Sequence, residues 1–164
     1  MQLLRIIFVV LMAQLILITS VFADLSAAEK REIIFDCTLL VNDYAYYRGL
    51  RDPENFANLF TEDARMTVRG EWIGGREALV DHVLHDDPND VSMHLVTTVK
   101  IEPIDEQNAT GVTYAAVAHG LKGDAPATLE SFEVIGNHFD KYVKTEDGWR
   151  ISERIFNVIY RKPG

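Results

Sequence analysis

The sequence predicts an α+β fold in which a curved antiparallel sheet is wrapped around N-terminal helices. Apolar residues recur at helical spacing between residues 26 and 60, whereas runs of β-branched and aromatic residues dominate the chain from Met93 onward. Helices followed by consecutive strands are typical of α+β domains. Strands of this length imply strong curvature, and a sheet that curls around a long helix leaves a pocket between them.

The first 23 residues have the features of a cleavable signal peptide. Arg5 gives a short basic start, residues 6–18 are apolar apart from one glutamine, and Ala23 is a small residue at the expected cleavage position. We therefore expect one domain, residues 24–164, in an exported protein that is periplasmic or secreted. The alternative is a retained membrane anchor, because the apolar segment approaches the roughly 18 residues needed to cross a bilayer.

The composition excludes several classes of partner. The formal net charge is −9, which argues against nucleic acid or anionic lipid as a ligand, and we expect no membrane association once the leader is removed. Cys37 is the single cysteine, so no internal disulfide can form. Its position in an apolar helical stretch favours a buried structural thiol.

The long first helix is predicted from its N-cap and its periodicity. Ser26 and Glu29 are spaced as a capping box, and Gly49 is expected to end the helix. Apolar residues recur at steps of three and four and define a face directed at the core. They are Ile33, Ile34, Cys37, Leu40, Val41, Tyr44 and Tyr47.

Shorter elements follow the first helix. An aspartate and a proline at residues 52–53 have the form of an N-cap with proline at the first helical position, and predict a helix through residue 60. Residues 66–68 and 71–73 are predicted to form a hairpin around a two-residue turn, and residues 76–84 a third helix.

Four long strands are predicted in the second half of the chain. They cover residues 93–102, 111–119, 129–145 and 149–160. Polar or glycine-containing segments separate them, and the last of these segments, residues 146–148, has the composition of a hairpin turn.

Several short motifs, together with the order of the elements, carry a resemblance to a known family. The motifs are Tyr44-Ala45, Asn55-Phe56, Leu59-Phe60-Thr61-Glu62-Asp63-Ala64, Met93-His94 and Tyr142-Val143-Lys144-Thr145-Glu146-Asp147-Gly148-Trp149-Arg150. Over roughly residues 28–161 the chain resembles the SnoaL-like branch of the nuclear-transport-factor-two-like superfamily, which includes scytalone dehydratase, ketosteroid isomerase and bile-acid dehydratases. The resemblance implies a cone-shaped α+β barrel and a homodimer formed through the sheet.

The same resemblance implies four catalytic residues. His94 matches the histidine of the dehydratase branches, and His119 matches a second pocket histidine of scytalone dehydratase. Tyr44 falls where ketosteroid isomerases and bile-acid dehydratases carry a pocket tyrosine. Asp140 lies where ketosteroid isomerase has a protonated aspartic acid that donates a hydrogen bond.

Two carboxylates of the family are absent from this chain. Gly49 stands where the dehydratases carry the aspartate that orients the catalytic histidine. Val68 stands where the isomerase has its general-base aspartate and where scytalone dehydratase has a catalytic tyrosine. Neither family mechanism is therefore complete in this sequence.

The residue types suit acid–base chemistry. A histidine is the simplest general base near neutral pH, and a phenol can polarise a carbonyl or protonate a leaving hydroxyl, so we expect His94 and Tyr44 to divide these roles. Structural alternatives stay open from the sequence. His94 also fits a strand residue at the rim of the core, His119 an exposed strand end, and Asp140 a solvated carboxylate beside Lys141.

Further contacts are predicted from strand alternation. His138, Asp140 and Tyr142 share one face of their strand because side chains alternate with period two. If that face lines the pocket, Asp140 would donate a hydrogen bond as a protonated acid, or would hold a histidine in its productive tautomer. We expect His138, Tyr47 and Asn157 to contact the substrate.

One acidic segment contains residue types that commonly bind metal ions. His85 is followed by Asp86 and Asp87, but no second cluster at ligand spacing accompanies it, so an acidic loop is the favoured interpretation. We expect neither a metal nor another cofactor. The sequence thus predicts an exported small-molecule pocket protein. It would be a cofactor-independent lyase or isomerase with dehydratase-like chemistry on a small apolar cyclic or polyketide-like substrate, or alternatively a noncatalytic periplasmic binding protein for an apolar ligand.

Overall fold

The computed structural model describes residues 24–85, 87, 89–121, 123 and 129–162. The predicted signal peptide, residues 1–23, lies outside the described residues. Within them, three helices and six strands are formed, and no helix has both the length and the apolarity to span a membrane. The elements are α1 (Ala27–Leu50), α2 (Pro53–Ala57), β1 (Phe60–Val68), β2 (Glu71–Gly74), α3 (Arg76–Leu84), β3 (Asp90–Pro103), β4 (Asn108–Leu121), β5 (Leu129–Thr145) and β6 (Gly148–Arg161).

Helix α1 begins at the predicted capping box. The Ser26 hydroxyl accepts a hydrogen bond from the Glu29 backbone nitrogen at 3.2 Å, and the Glu29 carboxylate accepts one from the Ser26 nitrogen at 2.7 Å. The helix ends at Leu50, one residue beyond the predicted end at Gly49. The next residue, Arg51, has a left-handed backbone conformation that caps the helix. Ile34 was predicted to belong to the buried face of this helix, but 40% of its surface is exposed. The buried face of α1 consists of Ile33, Cys37, Leu40, Val41, Tyr44 and Arg48.

The predicted helix through residue 60 is too long. Helix α2 is capped by Asp52, whose carboxylate accepts from the Asn55 nitrogen at 3.1 Å, but it ends at Ala57. Phe60 instead begins β1 and pairs in parallel with Ile151 of β6. Phe60 is fully buried there, so tertiary strand pairing overrides the local helical pattern.

The six strands form one curved, unclosed sheet in the order β2-β1-β6-β5-β4-β3. All neighbours are antiparallel except β1 and β6, and this parallel pair departs from the fully antiparallel sheet that the sequence predicts. Register shifts interrupt the ladders of β3 to β6, and such bulges increase twist and bend strands. Gly136 lies at one shift, where a Cβ atom would come within 2.2 Å of the Asn157 carbonyl oxygen.

The hydrophobic core lies between the three helices and the concave face of the sheet. Phe56, Phe60, Leu79 and Ile151 are fully buried in it, and so is the thiol of Cys37, as predicted. Burial raises the pKa of Cys37 to about 12, so the thiol stays protonated and unreactive near neutral pH. The core fills only part of the cone and leaves the other end of the concave face open.

Candidate active site

A cavity of about 470 Å³ opens between α1, the β1–β2 turn, α3 and the concave face of the sheet. Tyr44, His94, His119 and His138 all line it, so the structure brings four of the predicted site residues together. Apolar side chains form much of the remaining wall. They include Met66, Val68, Val117, Val134, Phe156 and Val158.

The inner end of the cavity, which we call the polar floor, is formed by Tyr44, Ser92, His94, His138 and Arg154. The Tyr44 ring is at its centre. Its centroid lies 6.1 Å from the His94 ring and 5.5 Å from the His138 ring, both in edge-on geometry. Helix α1 fixes this ring because Tyr44 is part of its buried face.

Arg154 is the floor residue that sequence reasoning missed. Its guanidinium lies 4.0 Å from the centre of the Tyr44 ring, a distance typical of cation–π contact. Its Nε and Nη2 atoms donate to the Asp140 carboxylate at 2.7 and 2.8 Å. The two side chains are 2% and 0% exposed, so this is a fully buried, bidentate ion pair.

Asp140 therefore does not have the role predicted for it. Its carboxylate accepts both hydrogen bonds from Arg154 and a third, of 2.8 Å, from the Tyr142 hydroxyl. In all three contacts Asp140 is the acceptor, so it neither donates a hydrogen bond to a ligand nor holds a histidine. Asp140 contacts the Arg154 guanidinium and the Tyr142 hydroxyl and so fixes the position of Arg154.

The ion pair fixes the charge of the floor. Burial alone would lower the pKa of Arg154, but the adjacent Asp140 carboxylate raises it above its usual value, so the guanidinium stays charged. The third guanidinium nitrogen, Nη1, is buried and has no hydrogen-bond partner among the described residues. The same holds for the Ser92 hydroxyl. The floor thus holds two donors that have no acceptor in the described part of the chain, one of them permanently charged.

His138 supplies a neutral imidazole. Burial, then the positive charge of Arg154 and the proximity of His94, lower its pKa well below 6.5. Its ring packs on Phe156 with centroids 4.7 Å apart, and its Nδ1 is without a partner among the described residues. A neutral imidazole can either donate or accept one hydrogen bond from a ligand.

The two positions that lack the family's carboxylates can be located in the fold. Gly49 lies near the end of α1, where an added Cβ would be 3.8 Å from the Ser92 carbonyl oxygen, so an aspartate there would face the strand that carries His94. Val68 contributes an apolar side chain to the cavity wall. Neither position provides a group that could act as a base.

His119 lies at the open end of the cavity, which we call the mouth. Its Nδ1 is 2.7 Å from the Asp90 carboxylate and its Nε2 is 2.8 Å from that of Glu133. His119 therefore links β3, β4 and β5 at the mouth, and both of its nitrogens are engaged.

Two predicted substrate contacts do not line this cavity. Tyr47 packs against Tyr46 and the core, with ring centroids 5.4 Å apart. Asn157 lies on the opposite face of β6 from Phe156 and Val158, and its side-chain amide donates to Asn137 at 3.0 Å. Strand alternation explains the error, because it fixes which residues share a face but not which face is inside.

The segment that follows α3 is the one for which the sequence raised a metal site as an alternative to an acidic loop. His85 is exposed and its Nδ1 lies 3.0 Å from the Asp81 carboxylate. Asp86 lies outside the described residues. Within the part of the chain that the structure describes, no three potential ligands are grouped so as to hold a metal ion.

An unclosed cone of sheet around helices, with a polar-floored cavity at its open end, defines the nuclear-transport-factor-two-like class of α+β domains, a class that suggests a small-molecule ligand. Within that class the chain belongs to the SnoaL-like domain family, whose pattern matches residues 29–155. The family assignment predicted from the sequence motifs is thereby confirmed. Comparison with curated protein sequences gives no significant match.

Solved structures confirm the fold. The chain is 27% identical to Rv3472, a protein of unknown function from Mycobacterium tuberculosis, with a TM-score of 0.66 over 76% of this chain and 75% of that one. It is 18% identical to a putative scytalone dehydratase from Novosphingobium aromaticivorans, with a TM-score of 0.70 over 84% and 91% of the two chains. A hexachlorocyclohexane dehydrochlorinase, LinA-type3 from Novosphingobium barchaimii, is 18% identical with a TM-score of 0.70 over 85% and 94%.

Proposed function

We propose that this protein is a cofactor-independent lyase or isomerase that removes a proton beside a carbonyl group of a small cyclic molecule. One observation carries the proposal. The charged guanidinium of Arg154 is held by Asp140 and Tyr44 at the floor of the cavity, with His94 and His138 beside it and with Nη1 lacking an acceptor among the described residues.

The proposed reaction starts with His94 as the general base. His94 takes the proton from the carbon beside the carbonyl, and the electron pair of the broken C–H bond forms an enolate whose negative charge lies on oxygen. The Nη1 group of Arg154 and the Tyr44 hydroxyl donate to that oxygen. Donors that are fixed before the reaction stabilise developing charge most effectively in a site shielded from water.

Two outcomes follow from the same enolate. Return of the proton from His94 to a different carbon shifts a double bond, which is an isomerisation. Loss of a hydroxyl group from the carbon next to the enolate gives a dehydrated product, and the departing oxygen takes the His94 proton to leave as water. The apolar wall suits a largely hydrocarbon ring, and a volume of about 470 Å³ suits one or two rings.

A noncatalytic carrier is the second candidate. It is favoured by the engagement of Asp140, whose oxygens bind Arg154 and Tyr142 and are not available to orient a histidine. Donors that lack an acceptor within the described residues, together with an apolar wall, would also bind a ketone without changing it. The two candidates differ in whether a carbon-bound proton is exchanged.

Deuterium exchange tests the enzyme proposal without knowledge of the physiological substrate. Cyclic ketones and enones such as 2-cyclohexenone and 2-tetralone are incubated in D2O, and loss of the α-proton signal is followed by NMR. We expect the wild-type protein to accelerate exchange of at least one of them, and His94→Gln to lower that rate at least about 100-fold. Asn157→Ala is the control, since its side chain lies on the opposite face of the sheet.

Two results decide between the candidates. Exchange that persists in His94→Gln at the wild-type rate would contradict the role of His94. Ketone binding by the wild-type protein without any exchange would favour the carrier.

Export is a separate proposal, and it rests on residues 1–23 alone. We propose that the leader is cleaved after Ala23, which places the domain in the periplasm or outside the cell. The mass of the mature protein tests this directly. A mature chain beginning at Asp24 is expected, and a chain that retains Met1 would contradict it.

We also propose a homodimer formed through the outer face of the sheet. Large apolar side chains are exposed on this face of β3, β4 and β5. Monomeric proteins rarely expose a contiguous apolar patch of this kind. The patch consists of Met93, Leu95, Tyr114, Phe132, Ile135 and Phe139.

A further inference from the structure

The mouth of the cavity carries two arginines that the proposed chemistry does not use. Arg69 lies in the β1–β2 turn and Arg161 is the last residue of β6, and both line the cavity. Both are exposed, and neither forms a salt bridge or side-chain hydrogen bond with another residue of the described chain. They approach the cavity from the same side, because β1 and β6 are neighbours in the sheet.

The conformation of Arg69 is unfavourable for its residue type. The turn has two residues, Arg69 and Gly70, with φ angles of 53° and 92°. Positive φ at both positions is typical of the type I′ turn, in which asparagine or glycine is preferred at the first position. An arginine there is strained, and strained residues cluster at functional sites.

The carboxylates that line the mouth already have partners. Asp90 and Glu133 both bind His119, at 2.7 and 2.8 Å, and Asp81 binds His85 at 3.0 Å. The fourth, Asp87, accepts a hydrogen bond from the Asn89 backbone nitrogen. The carboxylates of the mouth are thus engaged by histidines or backbone, whereas the guanidinium groups of Arg69 and Arg161 have no side-chain partner among the described residues.

We infer that the ligand carries an anionic group, most simply a carboxylate, which Arg69 and Arg161 bind at the mouth. The inference rests on the proposed function and narrows its substrate class. The apolar ring lies along the cavity wall, the reacting carbonyl reaches Arg154 at the polar floor, and the carboxylate stays at the mouth. The substrate class is then a cyclic keto acid or hydroxy acid, and not an uncharged hydrocarbon-like molecule.

A pair of matched probes tests the inference. Naphthalene-2-carboxylate and naphthalene-2-carboxamide have nearly the same shape and differ in charge. Their dissociation constants are measured by calorimetry for the wild-type protein, for Arg69→Asn/Arg161→Gln, and for Arg31→Gln, which changes an exposed arginine of α1 outside the cavity. Asparagine at residue 69 suits the turn, so the double variant is expected to stay folded.

We expect the carboxylate to bind the wild-type protein and Arg31→Gln about tenfold more tightly than the amide. In the double variant the two probes should bind equally, with the amide affinity unchanged. Raising the salt concentration should also reduce the preference in the wild-type protein, since exposed charges are screened.

Three other results would contradict the proposed binding of an anionic group at the mouth. Equal binding of both probes to the wild-type protein, or a preference that survives in the double variant, would overturn the anionic mouth and leave the acid–base proposal intact. If neither probe binds the wild-type protein, the anionic mouth is also overturned, whereas deuterium exchange of the cyclic ketones decides the acid–base proposal separately.

Discussion

Arg154 binds Asp140 through two parallel hydrogen bonds, of 2.7 and 2.8 Å, in a pair with almost no solvent exposure. The pair belongs to adjacent strands, β5 and β6, and lies under the Tyr44 ring. It is the feature that turns the inner end of the cavity into a site for an acceptor oxygen. Its energetics give the first prediction.

Removing one member of the ion pair should be costly. Asp140→Asn leaves the guanidinium of Arg154 buried without a counterion, and we expect it to lower the free energy of unfolding by about 3–5 kcal/mol. Asp140→Leu/Arg154→Met removes both charges and should recover most of that loss. Urea denaturation measures both values. A loss below about 1 kcal/mol in Asp140→Asn would show that the pair is not buried as described.

Relieving the strain at Arg69 should stabilise the fold. Arg69→Asn fits the positive φ of the β1–β2 turn, and we expect it to raise the free energy of unfolding by about 1 kcal/mol. Arg51, with φ of 56°, is the matched control, because its side chain also donates to the Asp90 carbonyl oxygen. Arg51→Asn should therefore gain less. Thermal unfolding at pH 7 checks both, and a destabilised Arg69→Asn would contradict the turn assignment.

His138 should make stability depend on pH. Its pKa in the folded protein lies well below the unfolded value of 6.5, so below pH 6.5 the unfolded chain binds a proton that the folded chain does not. Stability should fall as the pH drops from about 6.5 to 5, by up to about 1.4 kcal/mol per unit from this residue. Above pH 7 the residue should contribute no slope.

A substitution isolates that contribution. His138→Phe removes the titrating group and keeps a ring beside Phe156, so its unfolding free energy should fall less steeply over the same pH range. His85→Gln, which changes an exposed histidine, serves as the control and should keep the wild-type slope. Identical slopes for His138→Phe and the wild-type protein would contradict a buried, neutral His138.

The outer face of the sheet should control the oligomeric state. Phe139 is 44% exposed on this face, and we expect Phe139→Lys to convert a dimer into a monomer in light scattering. Phe35 is 63% exposed but lies on α1, so Phe35→Lys should leave the dimer intact. A monomeric wild-type protein, or a dimer lost only in Phe35→Lys, would contradict the proposed interface.

The sequence was most informative where local physics decides the structure. The cap at Ser26 follows from short-range hydrogen bonds, and the β1–β2 hairpin and the third helix follow from glycines that mark turns. All three are present. The parallel pairing of β1 with β6 could not be predicted in this way. Phe60 and Ile151 are far apart in the chain, and no local pattern specifies their contact.

The role of Asp140 was mispredicted for a similar reason. Near the turn that joins β5 and β6, Tyr142 pairs with Ile151, and continuing that register would place Asp140 opposite Glu153. A register shift between Lys141 and Tyr142 places Arg154 there instead. A bulge of one residue therefore decides whether Asp140 faces a carboxylate or a guanidinium, and its position is not encoded in residue alternation.

The most direct test of the central claim is a crystal structure of the protein with bound 4-nitrophenol, whose phenolate oxygen imitates an enolate. We predict that this oxygen lies about 3 Å from Nη1 of Arg154, with the ring between His94 and the apolar wall. A phenol bound on the outer face of the sheet, or bound in the cavity with its oxygen directed away from Arg154, would contradict the proposed site.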